Sequence, residues 1–172
     1  MRGPDDDLVT RFLMAADLTG ADVIVRMWGD CPVTDPDLAA GLLQAVLNTD
    51  VAWAHYPNDS GYPEGVEPHV LRVDALRALS DESDDMYERE NMLPFFTRRP
   101  ERFPMLEIRR TPNRNHLKCL LDTQHDYRRI SEIFDILYPD TPDFGVAELE
   151  SLAESRPELF DPTHRIATGN DG

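Results

Sequence analysis

The stretch A-D-V-I-V-R-M-W-G-D-C-P-V-T-D-P, residues 21–36, restricts the fold more than any other part of the chain. Val23, Ile24 and Val25 form a β-branched apolar run, the pattern of a strand buried in a parallel sheet. Gly29 and Asp30 then read as a tight turn. Asp35 reads as a helix N-cap, with Pro36 at the first helical position. Strand, turn and capped helix in that order are a piece of a layered α/β domain. They leave Asp30 at the carboxyl end of the strand, the edge where open α/β sheets bind ligands. A carboxylate there, beside Cys31 and Pro32, suits a divalent metal on a phosphorylated ligand.

Hydrophobic spacing predicts the remaining elements. Leu8, Phe12, Leu13 and Ala16 share one face of a helix over 5–19, which opens on three aspartates and stops at Gly20. Leu38, Leu42, Leu43, Val46 and Leu47 do the same for a helix reaching residue 48. A core strand follows over 51–56, then a loop of turn formers over 57–65. Residues 66–73 alternate as a strand, with Pro68 favouring an edge position. Asp74 is expected to cap a short helix over 75–80, and a helix starting near 85 is expected to kink at Pro94. Strands are predicted over 105–110 and 117–122. Thr123 and Asp126 then form a capping box for a helix over 124–138, and a last helix lies near 145–154. The expected fold is α/β and Rossmann-like: a mixed, mostly parallel sheet with helices on both faces. It forms a single domain over 1–160, with 161–172 a frayed tail.

Length and charge exclude several functions. A chain of 172 residues buries roughly 70% of the surface its unfolded form exposes. There is no run of about 18 apolar residues to span a membrane, and the opening residues lack an apolar signal core, so a cytoplasmic location is expected. The formal net charge of −16 argues against nucleic acid and anionic membranes as partners. A nucleotide ligand stays open, because a metal ion can mediate between carboxylates and phosphates. Cys31 and Cys119 imply no disulfide framework. With His55, His69, His116 and His125 they lack the C-x-x-C or H-x-x-x-H spacing of a zinc site. Neither G-x-G-x-x-G nor G-x-x-x-x-G-K-[ST] is present.

Five runs, in order, carry a family resemblance. They are D-D-L-V-T-R-F (6–12), G-A-D-V-I-V-R-M-W-G-D-C-P-V-T-D-P (20–36), Y-P-E-G-V-E (62–67), Y-E-R-E-N-M-L-P (87–94) and L-D-T-Q-H-D-Y (121–127). The chain resembles the acylneuraminate cytidylyltransferases, in particular their spore-coat polysaccharide branch, over about residues 5–138. The resemblance implies a nucleotide-diphospho-sugar transferase fold, and transfer of CMP from CTP to a sugar with release of pyrophosphate. It implies Mg2+ as cofactor, with Asp30 and Asp122 as ligands. Tyr62, Glu64 and Glu67, with His69 nearby, match the sugar-contacting loop. Arg89 and Glu90 match an E-R-E-H-type run in which Asn91 replaces the histidine. The match begins nearly a third of the way along the family pattern, whose opening strand and Arg-, Ser- and Lys-containing triphosphate loop have no counterpart here. An N-terminally truncated domain is therefore expected, with Arg26 and Arg89 as its candidate cations for a triphosphate. An uncovered edge beside strand 22–28 is expected to drive homodimerisation or association.

Taken on their own chemistry, these residues keep other readings. Asp30 can bond its own turn backbone, Asp122 can precede a helix as a cap, and Glu64 and Glu67 can be solvated loop charges. The alternative function is a non-catalytic sugar-binding module, or one that completes a site supplied by another chain.

Overall fold

A computed structural model describes residues 2–161 and 163. The tail expected to fray, 161–172, therefore lies outside the described residues except for Asp161 and Thr163. Among the described residues the order is α1 (Leu8–Thr19), β1 (Val23–Arg26), α2 (Pro36–Leu47), β2 (Trp53–His55), β3 (His69–Arg72), α3 (Val73–Glu82), α4 (Met86–Asn91), α5 (Leu93–Thr97), β4 (Met105–Glu107), α6 (Gln124–Leu137) and α7 (Val146–Ser155). The chain gathers into two compact units. One takes the stretch ending at Arg26, Ala39–His55 and His69–Glu107; the other takes Met27–Leu38, Tyr56–Pro68 and the chain from Ile108 onward.

The first unit holds the sheet, in the order β1-β3-β2-β4. β3 runs antiparallel to β1 and to β2, and only β2 and β4 pair in parallel. The expected mostly parallel sheet is thus corrected to a mostly antiparallel one. A β-branched run reports a pleated, partly buried surface and carries no information about the direction of the neighbouring strand. Among the described residues β1 has one neighbour, in keeping with the uncovered edge expected beside 22–28, and Val25 is exposed; β3, expected at an edge, lies instead between two partners. Pro68 precedes β3, so its missing N–H breaks no ladder bond. The strand expected over 117–122 is reduced to an isolated parallel bridge between Glu64 and Lys118.

Trp53, Leu71, Leu76, Leu79, Met92, Phe95 and Phe96 are fully buried in one cluster with Val9. Arg72 ties the sheet to the end of α2 by donating to the carbonyls of Val46 (2.6 Å), Thr49 (2.7 Å) and Val51 (3.1 Å). These carbonyls lie at and beyond a helix C-terminus, where helical partners run out. The kink expected at Pro94 falls instead at Met92, whose φ of 59° separates α4 from α5. Pro94 takes the second position of α5, where a missing N–H costs nothing.

The second unit is built on α6 and α7. Thr123 and Asp126 form the expected capping box. Arg129, fully buried, donates to Asp126 (2.6 Å) and to the carbonyls of Lys118 (3.1 Å) and Leu159 (2.7 Å). That pins the turn Pro157–Phe160, where Leu159 and Phe160 are buried despite weak sequence patterning.

One rung of the sheet is polar from edge to edge. Arg26, His69, His55 and Glu107 are register partners across the four strands. The two imidazoles stand 5.0 Å apart edge to face, and Nε2 of His55 lies 3.6 Å from Glu107. Burial, followed by the fields of His55 and Arg26, pushes the His69 pKa down to about 2. An unfolded histidine titrates near pH 6.5. Below that value the unfolded chain binds a proton that the native ring refuses, so this contribution is complete above pH 6.5 and declines as the pH falls. Urea unfolding at pH 5.5 should give a stability about 1.4 kcal/mol lower than at pH 7.5 from His69 alone. His69→Gln should remove that part of the pH dependence, and an unchanged slope in the variant would contradict the assignment.

Candidate functional site

In the second unit, the segment 117–121 is laced between two loops. The N–H of Glu64 donates to Leu117 O (2.9 Å) and the N–H of Cys119 to Glu64 O (2.8 Å). On the other side the N–H of Leu121 donates to Asp30 O (2.9 Å). Asp30 and Asp122, distant in sequence, are thereby carried on adjoining stretches of backbone. Asp122 is exposed and Asp30 half-buried. The G-D-C-P turn closes with Cys31 N–H on Trp28 O at 3.2 Å. Gly29 does not adopt a positive φ there, and a Cβ on it would meet nothing within 4 Å.

The Cys31 thiol reports how the charges gather. Its Sγ donates to Oδ1 of Asp30 at 3.8 Å. Its pKa is pushed up to about 12, first by burial and then by the negative fields of Asp30, Glu67 and Asp122. Three carboxylates from three separate stretches of chain therefore act on one point. The Oε2 of Glu67 accepts the N–H groups of Gly65 (2.8 Å) and Val66 (3.0 Å). Burial nevertheless raises its pKa above the usual carboxylate value. The neighbouring Glu64 pairs with Lys118. Tyr62 packs edge to face on Tyr56 at 4.8 Å, with the Arg110 guanidinium 4.3 Å over its ring. Gly65 has a φ of +96°, and a Cβ there would lie 2.9 Å from the backbone of Cys119. The loop carrying Glu64 and Glu67 approaches 117–121 this closely only with glycine at that point.

The structure thus brings together Asp30, Asp122, Glu64, Glu67 and Tyr62 within the second unit. Arg26 and His69 belong to the first unit, on the polar rung, and Glu90 is exposed on α4. Arg89, which the resemblance implies as a catalytic cation, is engaged within the first unit. All its donors are engaged: Nε and Nη2 on Asp7 (2.9 and 2.8 Å), Nη2 also on Thr10, and Nη1 on the carbonyls of Ser80 and Ser83. It fastens α4 to the start of α1 and has no N–H left for a phosphate. Lys118, which sequence reasoning passed over, is the chain's only lysine, and its rarity was the available signal.

Among the described residues, no group of three histidine, cysteine or acidic side chains could hold a metal alone. The salt bridges of this unit use Glu64, Asp126, Glu132 and Glu150, among others, and leave Asp30 and Asp122 without one among the described residues. Two such carboxylates do not make a protein-closed metal centre. They do fit magnesium, which keeps several waters and needs one or two carboxylates beside substrate phosphates.

No family model matches the chain. It is 27% identical over 144 residues to an uncharacterized protein of Methanocaldococcus jannaschii, covering 81% of this chain and 58% of that protein. It is 25% identical over 169 residues to the spore coat polysaccharide biosynthesis protein SpsF of Bacillus subtilis, covering 91% of this chain and 65% of SpsF. The chain therefore spans about three fifths of the length of these curated relatives. The solved structure of a cytidylyltransferase from Leptospira borgpetersenii matches with a TM-score of 0.86 at 22% identity, covering 97% of this chain and 70% of that one. The fold is that of a cytidylyltransferase. By sequence the chain is a distant homologue of SpsF.

Gly65→Ala should lower stability by about 1–3 kcal/mol, through the positive φ and the contact with Cys119. Gly29→Ala should stay within about 0.5 kcal/mol of the parent. Denaturant midpoints of the two variants check this, and equal effects would contradict the close approach at Gly65.

Proposed function

We propose that this chain acts as a magnesium-dependent cytidylyltransferase component, which transfers CMP from CTP to a sugar for surface-polysaccharide synthesis in the cytoplasm. The observation that carries this reading is the bond from Leu121 N–H to Asp30 O at 2.9 Å, which sets Asp30 and Asp122 on adjoining stretches of backbone. Asp30 and Asp122 are the residues proposed to hold Mg2+, which supplies charge neutralisation at the phosphates. Glu67, fixed by two backbone N–H groups, is suited to accept hydrogen bonds from sugar hydroxyls. Tyr62 offers an aromatic face beside it, and the Glu64–Lys118 pair offers both an acceptor and a donor. Arg26, His69 and Glu90 remain proposed substrate contacts from the resemblance. Alignment of the sugar hydroxyl with the α-phosphate would supply most of the rate enhancement.

A second reading is favoured by one observation. With Arg89 committed to Asp7, no cation proposed for the triphosphate is left in the Y-E-R-E run. The chain would then bind nucleotide or sugar without turnover, or complete a site with another chain.

Thermal denaturation with CTP and CMP, with and without Mg2+, tests the common part of both readings. Nucleotide at about 100 times its Kd stabilises by about 2.7 kcal/mol, roughly 5–10 °C for a chain of this length. The shift should require Mg2+ and should vanish in Asp30→Asn and Asp122→Asn. No shift with any nucleotide would contradict both readings. Pyrophosphate release from CTP with a panel of sugars then separates catalysis from binding alone.

A further inference from the structure

We propose that Lys118 is a side chain with which this chain holds the phosphates of its nucleotide, and that Glu64 is the positioning residue that aims it. The proposal rests on the nucleotide reading of Asp30 and Asp122 and adds a cation to it. Lys118 is the only lysine in the sequence. Its ammonium pairs with one oxygen of Glu64. An ammonium carries three N–H donors, and among the described residues Glu64 takes up one of them. Two donors stay available while the pair is intact. Arg89 is the contrast, with its donors spent on Asp7, Thr10 and two carbonyls. The Lys118 side chain is 37% exposed and that of Glu64 38%, so a ligand can reach the remaining donors.

Both ends of the pair stand on fixed backbone. The N–H of Lys118 donates to Phe160 O at 3.3 Å, and its carbonyl accepts from the buried Arg129 at 3.1 Å. Lys118 and Glu64 are partners in a parallel bridge, closed by Glu64 N–H on Leu117 O (2.9 Å) and Cys119 N–H on Glu64 O (2.8 Å). Burial then alternates along the segment: Leu117 and Cys119 are buried, Lys118 and Leu120 half-buried. In extended chain, side chains two and four residues apart share a face. Lys118 and the exposed Asp122 therefore share the open face of this segment, about 13 Å apart along the backbone. Asp30 joins at the Asp122 end through the bond from Leu121. One face thus carries two carboxylates at one end and an ammonium at the other. Phosphates bound through a cation at the acidic end extend along the face toward Lys118. A lysine ammonium is a point-charge phosphate binder, and its charge-assisted bonds are about twice as strong as neutral ones. An exposed ion pair stabilises a fold little, so altering this pair tests binding more than folding.

The test is calorimetric titration with CTP in the presence of Mg2+. Lys118→Gln should weaken CTP binding about tenfold or more, and Lys118→Arg should recover it to within about threefold of the parent, because a guanidinium also binds phosphate. Glu64→Gln breaks the same ion pair, yet it should bind CTP more tightly than the parent, because a competing acceptor and its negative charge are gone. A purely structural pair would instead make Lys118→Gln and Glu64→Gln weaken CTP alike. Because Lys118 is the only lysine, 13C-lysine labels this position alone. Its ε-CH2 signal should move as CTP saturates the parent chain, and that measurement decides if Lys118→Gln fails to fold. CTP binding that Lys118→Gln leaves unchanged, equal weakening by the two glutamine variants, or an ε-CH2 signal unmoved at saturation would overturn the proposal and leave the nucleotide reading standing. A parent chain that binds no CTP would overturn both.

Discussion

The second unit depends on one buried carboxylate. Asp35, 7% exposed, accepts the N–H groups of Asp37 (2.8 Å) and Leu38 (3.1 Å) on one oxygen and that of Val146 (2.8 Å) on the other. It therefore begins both α2 and α7, and its own N–H donates to Val66 O at 3.2 Å. A buried carboxylate is tolerated where its oxygens are hydrogen-bonded in this way. Gly145 permits the approach, since a Cβ there would lie 2.4 Å from an Asp35 oxygen. The G-D-C-P turn, the 62–67 loop and α7 are thus referred to one side chain.

The site that results is acidic and open. Asp30 and Asp122 have no protein cation beside them among the described residues, whereas Glu64 has Lys118. A cluster of like charges is costly unless a cation from solution or a ligand lowers the repulsion. Burial is the first cause of the raised pKa values of Cys31 and Glu67, with the fields of Asp30, Glu67 and Asp122 adding to it at Cys31 and that of Glu64 at Glu67.

Features set by near neighbours in sequence were legible from it. Gly20 ends α1 in the left-handed conformation, Asp35 caps α2, and the Thr123–Asp126 box opens α6. Each depends on residues within three or four positions. The direction and interior place of β3 were not legible, because they follow from pairing with strands that lie far away in sequence. The same holds for Arg89: the family resemblance nominated its run, and only the fold shows Asp7 within 2.8 Å. Asp30 and Asp122 could be nominated from motifs. The bond from Leu121 to Asp30, and the part played by Glu67 beside them, required the folded chain.

Manganese, a paramagnetic stand-in for magnesium, offers the most direct test of a shared cation site. With CMP present, substoichiometric Mn2+ should broaden the amide signals around Asp30, Glu67 and Asp122 together, before those of other acidic stretches such as 81–85. Broadening that begins elsewhere, or that reaches one of the three segments without the other two, would contradict the account.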